Sequence, residues 1–200
     1  MSAEQYLLIG LGNPGREYRD NRHNFGFMLI DRIGIRLDAR GMKLQSKAIV
    51  TSAAYEGRKL LLAKPQTYMN LSGQSIQGLA NFYKLPMEQL LVAHDDLDLP
   101  FGTIRLRPGG GPGGQKGVAS AIERLGTKDF ARLRLGIGRP PGRMDPAAYV
   151  LQDFSREDMK ELSAIIDRAA DAALTFVTDG LDAAMNQFNG DIKAEKGTGS

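Results

Sequence analysis

The feature of this chain that most restricts its fold is a recurring succession: a short apolar run, a glycine-rich or polar turn, then an amphipathic stretch. The first apolar run, Tyr6 to Ile9, is followed by the turn Gly12-Asn13-Pro14-Gly15. Glycine permits unusual backbone angles and proline cannot continue a strand, so the run ends there. Apolar residues at helical spacing then predict a helix over about 22–38. Strands that alternate with helices are typical of an α/β fold.

The same succession continues along the chain. The runs 47–55 and 59–63, joined by Glu56-Gly57-Arg58, predict a β-hairpin. The spacing Ser155 to Asp158 fits a capping box that opens a long helix, and Gly180 is placed to end that helix. We therefore predict a single-domain three-layer sandwich, with a twisted, mixed, mostly parallel sheet flanked by helices. Further strands are predicted at 90–93, 102–107 and 130–138, and further helices after residue 73, at 115–125 and at 181–187.

Length and composition agree with one globular domain. The 200 residues contain no repeat and no linker, so we assign one domain to 1–188 and a disordered tail to 189–200, which lacks periodicity. The absence of cysteine excludes disulfides and thiolate chemistry. No apolar run approaches the length of a bilayer span, and no signal-peptide pattern precedes the first strand. We expect a cytoplasmic protein that does not enter a membrane.

Charge is concentrated in the middle of the chain. Residues 100–150 carry nine basic and three acidic residues, whereas 151–200 carry five and ten. Arg105 and Arg107 alternate along one predicted strand, as Arg132 and Arg134 do along another, and each pair therefore shares a face. A positive face indicates an anionic partner, although arginines scattered over the surface would give the same totals. The intervening glycine-rich loop, 109–114, lacks P-loop spacing and is interpreted as a lid or an anion-binding loop.

Polar side chains follow three of the predicted strands. Asn13 with His23, Asn70 and Asp95 would converge if these strands are neighbours, because open α/β sheets bind ligands at the carboxyl ends of their strands. A histidine held by a carboxylate is an activated base, and amides can orient a carbonyl without adding charge. There is no cysteine and no serine in a nucleophile elbow, so water is the simplest nucleophile. The set predicts hydrolysis of an activated acyl group such as an ester.

A metal-dependent hydrolase is a weaker alternative. The chain has two histidines and the acidic run Asp95-Asp96-Leu97-Asp98, but it lacks a pair of histidines at metal-ligand spacing. We expect neither a metal nor a cofactor.

Five motifs follow one another over about residues 6–188. They are Gly12-Asn13-Pro14-Gly15 with Tyr18 and Arg22-His23-Asn24, Lys64 to Gly73, His94 to Pro100, Gly109 to Gly117, and Arg132 to Gly138. Together these motifs resemble those of bacterial-type peptidyl-tRNA hydrolase. The resemblance implies cleavage of the ester between a peptide, or an N-blocked amino acid, and tRNA, by a monomer that binds nucleic acid.

The resemblance also implies residue roles. His23 matches the general base, Asp95 its carboxylate partner, and Asn13 the amide that selects N-blocked substrates. Tyr18, Tyr68, Met69, Asn70 and Lys116 lie at substrate-binding positions, and Arg105, Arg107 and Arg134 are the expected contacts to tRNA phosphates.

This chain departs from the family pattern at one point. Gln115 and Lys116 stand where better-known members carry His-Asn, so the role of this pair is open. Two other functions also stay open: an RNA-binding module, since some relatives of the family act as splicing factors, and a general esterase, which the basic segment 100–150 argues against.

Overall fold

A mixed β-sheet forms the middle layer of the protein. The structure, a computed structural model, describes residues 2–191, and within this range the sheet has eight strands in the order β2-β3-β4-β1-β5-β7-β6-β8. The strands are β1 (Gln5–Gly10), β2 (Arg40–Gln45), β3 (Ala48–Tyr55), β4 (Arg58–Pro65), β5 (Leu90–Asp96), β6 (Thr103–Arg107), β7 (Ala131–Gly136) and β8 (Gly190–Asp191).

The sheet is parallel at its centre and antiparallel at its edges. Strands β4, β1, β5 and β7 run parallel, whereas β2 and β3 on one side and β6 and β8 on the other pair antiparallel. The predicted mixed sheet is confirmed, with its parallel pairings in the four central strands. The predicted hairpin is confirmed as β3–β4, whose turn residues Glu56 and Gly57 both have positive φ, as a tight two-residue turn requires.

Helices cover both faces of the sheet and complete the predicted three layers. Side chains alternate between the faces, so Leu8 packs under α1 and α5 while Leu7 packs under α2 and α3. No helix in residues 2–191 is long and apolar enough to cross a membrane. The helices are α1 (Phe25–Arg36), α2 (Ser72–Phe82), α3 (Lys116–Leu125), α4 (Pro146–Val150), α5 (Arg156–Asp179) and α6 (Leu181–Phe188), and short 3-10 turns occupy Arg16–Tyr18, Arg22–Asn24, Met69–Leu71 and Met87–Gln89.

Local signals placed the ends of α5 correctly. Ser155 Oγ accepts a hydrogen bond from the Asp158 N–H at 3.0 Å, and the Asp158 carboxylate accepts from the Ser155 N–H at 3.4 Å. Gly180, with φ of +91°, ends the helix. The predicted capping box and the predicted helix end are therefore both confirmed.

Two features at the sheet edges differ from the predictions. Strand β2 was not predicted, because its apolar residues Met42 and Leu44 are exposed and it forms by pairing with β3 rather than by burial. The boundary of the predicted tail at 189 is also too early. Asn189 makes hydrogen bonds of 2.7 and 3.1 Å to the main chain of Leu106, and β8 follows. The rest of that tail, 192–200, lies outside the described residues.

The position of α1 depends on contact between backbones. A Cβ atom on Gly26 would lie 2.5 Å from Leu11 N and 2.6 Å from Ala93 O, and one on Gly10 would lie 2.0 Å from Gly26 O. The first turn of α1 therefore rests directly on the carboxyl ends of β1 and β5. This contact brings the 3-10 turn that precedes α1, which carries His23, to the end of β5.

Gly26→Ala is expected to destabilise the protein by about 3 kcal/mol, because the added methyl group meets backbone that cannot move aside. Gly34→Ala on the same helix is the matched control. Its Cβ would lie 3.8 Å from Leu62, and alanine favours helix over glycine by about 0.5–1 kcal/mol. Denaturant unfolding of both variants measures the difference. Equal stability of the two variants would contradict the backbone contact.

Candidate active site

A cleft of about 590 Å³ opens at the carboxyl ends of the central strands. The catalytic and substrate-binding residues expected from the sequence all line this cleft, although they come from four separate segments of the chain. These residues are Asn13, Tyr18, His23, Tyr68, Met69, Asn70, Asp95 and Lys116.

His23 and Asp95 are in direct contact in the cleft. His23 Nδ1 lies 2.8 Å from Asp95 Oδ2, and the Asp95 residue is only 2% exposed. An ionised carboxylate can only accept a hydrogen bond, so Nδ1 carries the proton in this pair. In a neutral ring, Nε2 then has a free lone pair. The geometry is that of a histidine base oriented by a buried acid.

The second oxygen of Asp95 is also bound. Gln115 Nε2 donates to Asp95 Oδ1 at 3.0 Å, and it lies 3.3 Å from Met69 Sδ. The same side chain caps α3, because its Oε1 accepts from the Val118 N–H at 2.9 Å. The sequence marked Gln115 only as a departure from a family pattern and did not indicate this contact.

Asn13 is held rigidly at the start of the cleft. Its N–H donates to Asn24 Oδ1 at 2.8 Å, and its carbonyl accepts from Asn24 Nδ2 at 2.9 Å. Its side-chain Oδ1 accepts from the Met69 N–H at 2.7 Å. This contact fixes the amide, so the NH₂ group is the part of the Asn13 side chain that can bind a ligand in the cleft.

The remaining cleft residues differ in exposure. Met69 is buried, whereas Tyr68 is 60% exposed, and Asn70 and Lys116 are exposed at the rim. Gly113 and Gly114, both with positive φ, form part of the wall beside Lys116. The exposed side chains line the same cleft as the His23–Asp95 pair, which suits them to binding a ligand.

The acidic run at the end of β5 does not form a single cluster. Asp96 Oδ2 accepts from Arg134 Nε at 2.7 Å, and Asp98 pairs with Arg139 on the surface. In residues 2–191 no group of three or more histidine, cysteine or acidic side chains is arranged to hold a metal ion.

The second histidine, His94, lies behind Asp95. It is 4% exposed, and its Nδ1–H donates to the main-chain carbonyl of Asp95 at 2.8 Å. Burial lowers the pKa of His94, because a charged ring would be poorly solvated there. His94 is therefore a neutral structural residue beneath the cleft.

The four arginines of β6 and β7 have different environments. Arg105 and Arg107 are exposed on β6, whereas Arg134 is engaged by Asp96. Arg132 is 2% exposed, and burial, together with the neighbouring charge of Arg107, lowers the pKa of its guanidinium to about 10. It donates to the carbonyls of Gly110, Gly111 and Lys128. Arg132 therefore anchors the glycine-rich loop. It does not face solvent, although its alternation with Arg134 suggested that the two arginines share an exposed face.

Arg22, which the sequence analysis named only as part of the motif around His23, makes contacts that were not predicted. Its guanidinium lies 4.1 Å from the centre of the Tyr149 ring and 3.6 Å from Asp158, and it donates to the Gln152 carbonyl at 3.4 Å. These contacts fasten the His23 turn to a segment about 130 residues later. Nothing in the sequence indicates the pairing.

Fold and cleft together define an α/β protein with a histidine–carboxylate pair at the carboxyl edge of its sheet. The family model described as peptidyl-tRNA hydrolase matches residues 7–196. The chain belongs to the peptidyl-tRNA hydrolase family.

Individual relatives agree with this assignment. Peptidyl-tRNA hydrolase of Mycobacterium tuberculosis is 48% identical over 188 residues, which cover 94% of this chain and 98% of the relative. The protein of the same name from Rhodococcus jostii is 47% identical over 190 residues, covering 94% and 100%. The crystal structure of peptidyl-tRNA hydrolase from Acinetobacter baumannii superimposes with a TM-score of 0.87 at 34% identity, covering 96% and 98% of the two chains.

Asn24→Ala is expected to destabilise the protein by about 2–6 kcal/mol, because it leaves the buried N–H and C=O of Asn13 without partners and each such group costs about 1–3 kcal/mol. Asn81→Ala, at an exposed position on α2, is the control and should change stability by less than about 0.5 kcal/mol. Thermal and denaturant unfolding check both values. An Asn24→Ala variant as stable as the wild type would show that the Asn13 turn does not depend on its hydrogen bonds to Asn24.

Proposed function

We propose that this protein hydrolyses the ester that joins a peptide, or an N-blocked amino acid, to tRNA. The observation that carries the proposal is the contact between His23 Nδ1 and buried Asp95, which leaves His23 Nε2 free in a cleft. Family membership supplies the substrate class, since the similar proteins are peptidyl-tRNA hydrolases. On the same grounds, we propose a cytoplasmic monomer.

Water is the proposed nucleophile. His23 Nε2 takes a proton from water as the water oxygen attacks the ester carbonyl carbon, and Asp95 stabilises the imidazolium that forms. The tetrahedral intermediate then collapses with cleavage of the carbon–oxygen bond to the ribose. The imidazolium returns its proton to the departing ribose oxygen, which restores the neutral ring and releases peptide and tRNA.

The other cleft residues bind and orient the substrate in this proposal. The Asn13 NH₂ group, fixed by the Met69 N–H, donates to a carbonyl oxygen of the peptide, a group that an N-blocked ester has and a free aminoacyl ester lacks. Tyr18, Tyr68 and Asn70 contact the two ends of the ester. Lys116 carries a flexible ammonium at the rim, which suits attraction of a phosphate better than stabilisation of an oxyanion by a fixed donor.

The tRNA body is proposed to bind beyond β7, at Arg105 and Arg107. Both side chains are exposed, and no ion pair engages them within residues 2–191. The Arg134 guanidinium is already paired with Asp96. We therefore expect Arg134 to contribute less to tRNA binding than Arg105 and Arg107.

His23→Ala is expected to lower the hydrolysis rate of N-acetyl-aminoacyl-tRNA by about 10²–10⁴-fold, the range typical for loss of a general base. The unblocked aminoacyl-tRNA serves as the substrate control and should react poorly with the wild type. Unchanged thermal unfolding and unchanged tRNA affinity show that the variant is folded. A wild-type protein that binds tRNA without releasing the blocked amino acid would instead be an RNA-binding module.

Arg105→Ala combined with Arg107→Ala is expected to weaken tRNA binding and to lower the log–log salt slope by about two units, one for each phosphate contact. Arg40→Ala combined with Lys43→Ala removes the same charge from β2, at the opposite edge of the sheet, and is the matched control. Binding titrations at several salt concentrations measure both slopes. Equal slopes in the two double variants would contradict a specific tRNA surface on β6.

A further inference from the structure

The buried amide of Gln115 lies behind the His23–Asp95 pair and contacts both Asp95 and the start of α3. Its orientation follows from the chemistry of its neighbours. The Val118 N–H can only donate, so it must face Oε1, at 2.9 Å. The Asp95 carboxylate can only accept, so it must face Nε2, at 3.0 Å. Gln115 is 9% exposed, and bulk water therefore has little access to either contact.

We propose that Gln115 is a positioning residue for the hydrolysis reaction: its amide fixes the Asp95 carboxylate, and through it the ring of His23. This inference rests on the proposed function for its catalytic meaning. The contact itself can be tested without substrate.

The need for such a residue follows from the mobility of a carboxylate. Asp95 accepts a hydrogen bond from His23 through only one oxygen, Oδ2. Rotation of the carboxylate about the Cβ–Cγ bond would break that hydrogen bond. The bond from Gln115 to Oδ1 opposes this rotation, because the amide is itself held by the backbone of α3. Asp95 thus keeps the His23 proton on Nδ1, which leaves the Nε2 lone pair in the cleft.

An amide suits this position because it does not titrate. It donates one hydrogen bond to Asp95 and carries no charge, so it neither neutralises the carboxylate nor competes for the proton of His23. Met69 Sδ, 3.3 Å from the same nitrogen, closes the other side with a soft, weakly polar atom. The charge of Asp95 is therefore left to act on His23.

Other titratable groups of the cleft do not replace this contact. They lie on the 3-10 turn after β1, on the segment after β4, at the end of β5, and at the starts of α3 and α4. The Gln115 variants described below leave all of these side chains in place. They are Tyr18, Tyr68, Asp96, Lys116 and Asp145, of which Asp96 is bound by Arg134.

Two substitutions separate the Asp95 contact from the helix cap. Gln115→Met keeps the volume and removes both polar contacts. Gln115→Asn is one methylene shorter, so it retains an N-cap oxygen for α3 but cannot also reach Asp95. Ser155→Ala removes a comparable N-cap from α5 at a residue that does not line the cleft. It leaves the Asp158 side chain in place beside Arg22 and is the control for loss of a cap alone.

The decisive measurement is nitrogen NMR of histidine-labelled protein, which sees only His23 and His94 because the chain has two histidines. Wild type and Ser155→Ala should hold the His23 proton on Nδ1. In Gln115→Met and Gln115→Asn, the form protonated on Nε2 should become populated. In tRNA ester hydrolysis, kcat should fall by roughly 10–100-fold, by analogy with the range seen when the hydrogen-bond partners of metal-binding histidines are removed, with KM changed by less than about twofold.

The proposal is wrong if His23 keeps its proton on Nδ1 in both Gln115 variants, or if kcat falls no further than in Ser155→Ala. If Gln115→Met does not fold, Gln115→Asn alone decides the question, since it keeps the cap. The NMR result needs no substrate. Failure of the wild type to hydrolyse the blocked ester would therefore reject the proposed function without affecting the test of the contact.

Discussion

The buried carboxylate of Asp95 is the constraint on which the site depends. An ionised carboxylate removed from water is unfavourable unless it is paired and hydrogen-bonded. Asp95 meets this requirement with His23 at one oxygen and Gln115 at the other. His23 precedes α1, which packs on one face of the sheet, and Gln115 precedes α3, which packs on the other. One side chain at the end of β5 therefore joins both helical layers.

The first half of the glycine-rich loop is held in place by a buried arginine. Arg132 satisfies the carbonyls of Gly110 and Gly111 while its guanidinium lies 4.1 Å from the centre of the Phe130 ring. The first half of the loop is thereby fixed to β7, and Gly113 and Gly114 continue into the wall of the cleft. Part of the positive charge of segment 100–150 is consequently internal and contributes to the fold instead of to an anion-binding surface.

Local patterns could be predicted from the sequence, and long-range pairings could not. The β3–β4 turn and the Ser155 capping box depend on residues close together in the chain, and both were predicted. His23 and Asp95 are 72 residues apart; residue spacing predicted their convergence only if their strands are neighbours, and the family resemblance implied their pairing. The contacts of Gln115 and Arg22 depend on the packing of separate segments, for which neither spacing nor composition gives a signal. The β2 strand was missed because its edge position leaves Met42 and Leu44 in solvent, without the burial that usually reveals a strand.

The arrangement of charge explains how an acidic turn can serve a polyanionic substrate. Three aspartates follow or end β5, and uncompensated they would repel the phosphates of the proposed tRNA substrate. Asp95 is buried, Asp96 is bound by Arg134, and Asp98 is paired with Arg139. In the sheet register His94 lies opposite Arg134, and Arg134 lies opposite Arg105, so the unpaired cations begin two strand spacings, about 10 Å, from β5. In the proposed function, the tRNA ester binds both at His23 and at the exposed arginines of β6, whereas a small ester binds only at His23. Under that proposal, the pairing of Arg134 with Asp96 lowers the repulsion between the acidic end of β5 and the tRNA phosphates, and Arg105 and Arg107 are left to attract those phosphates.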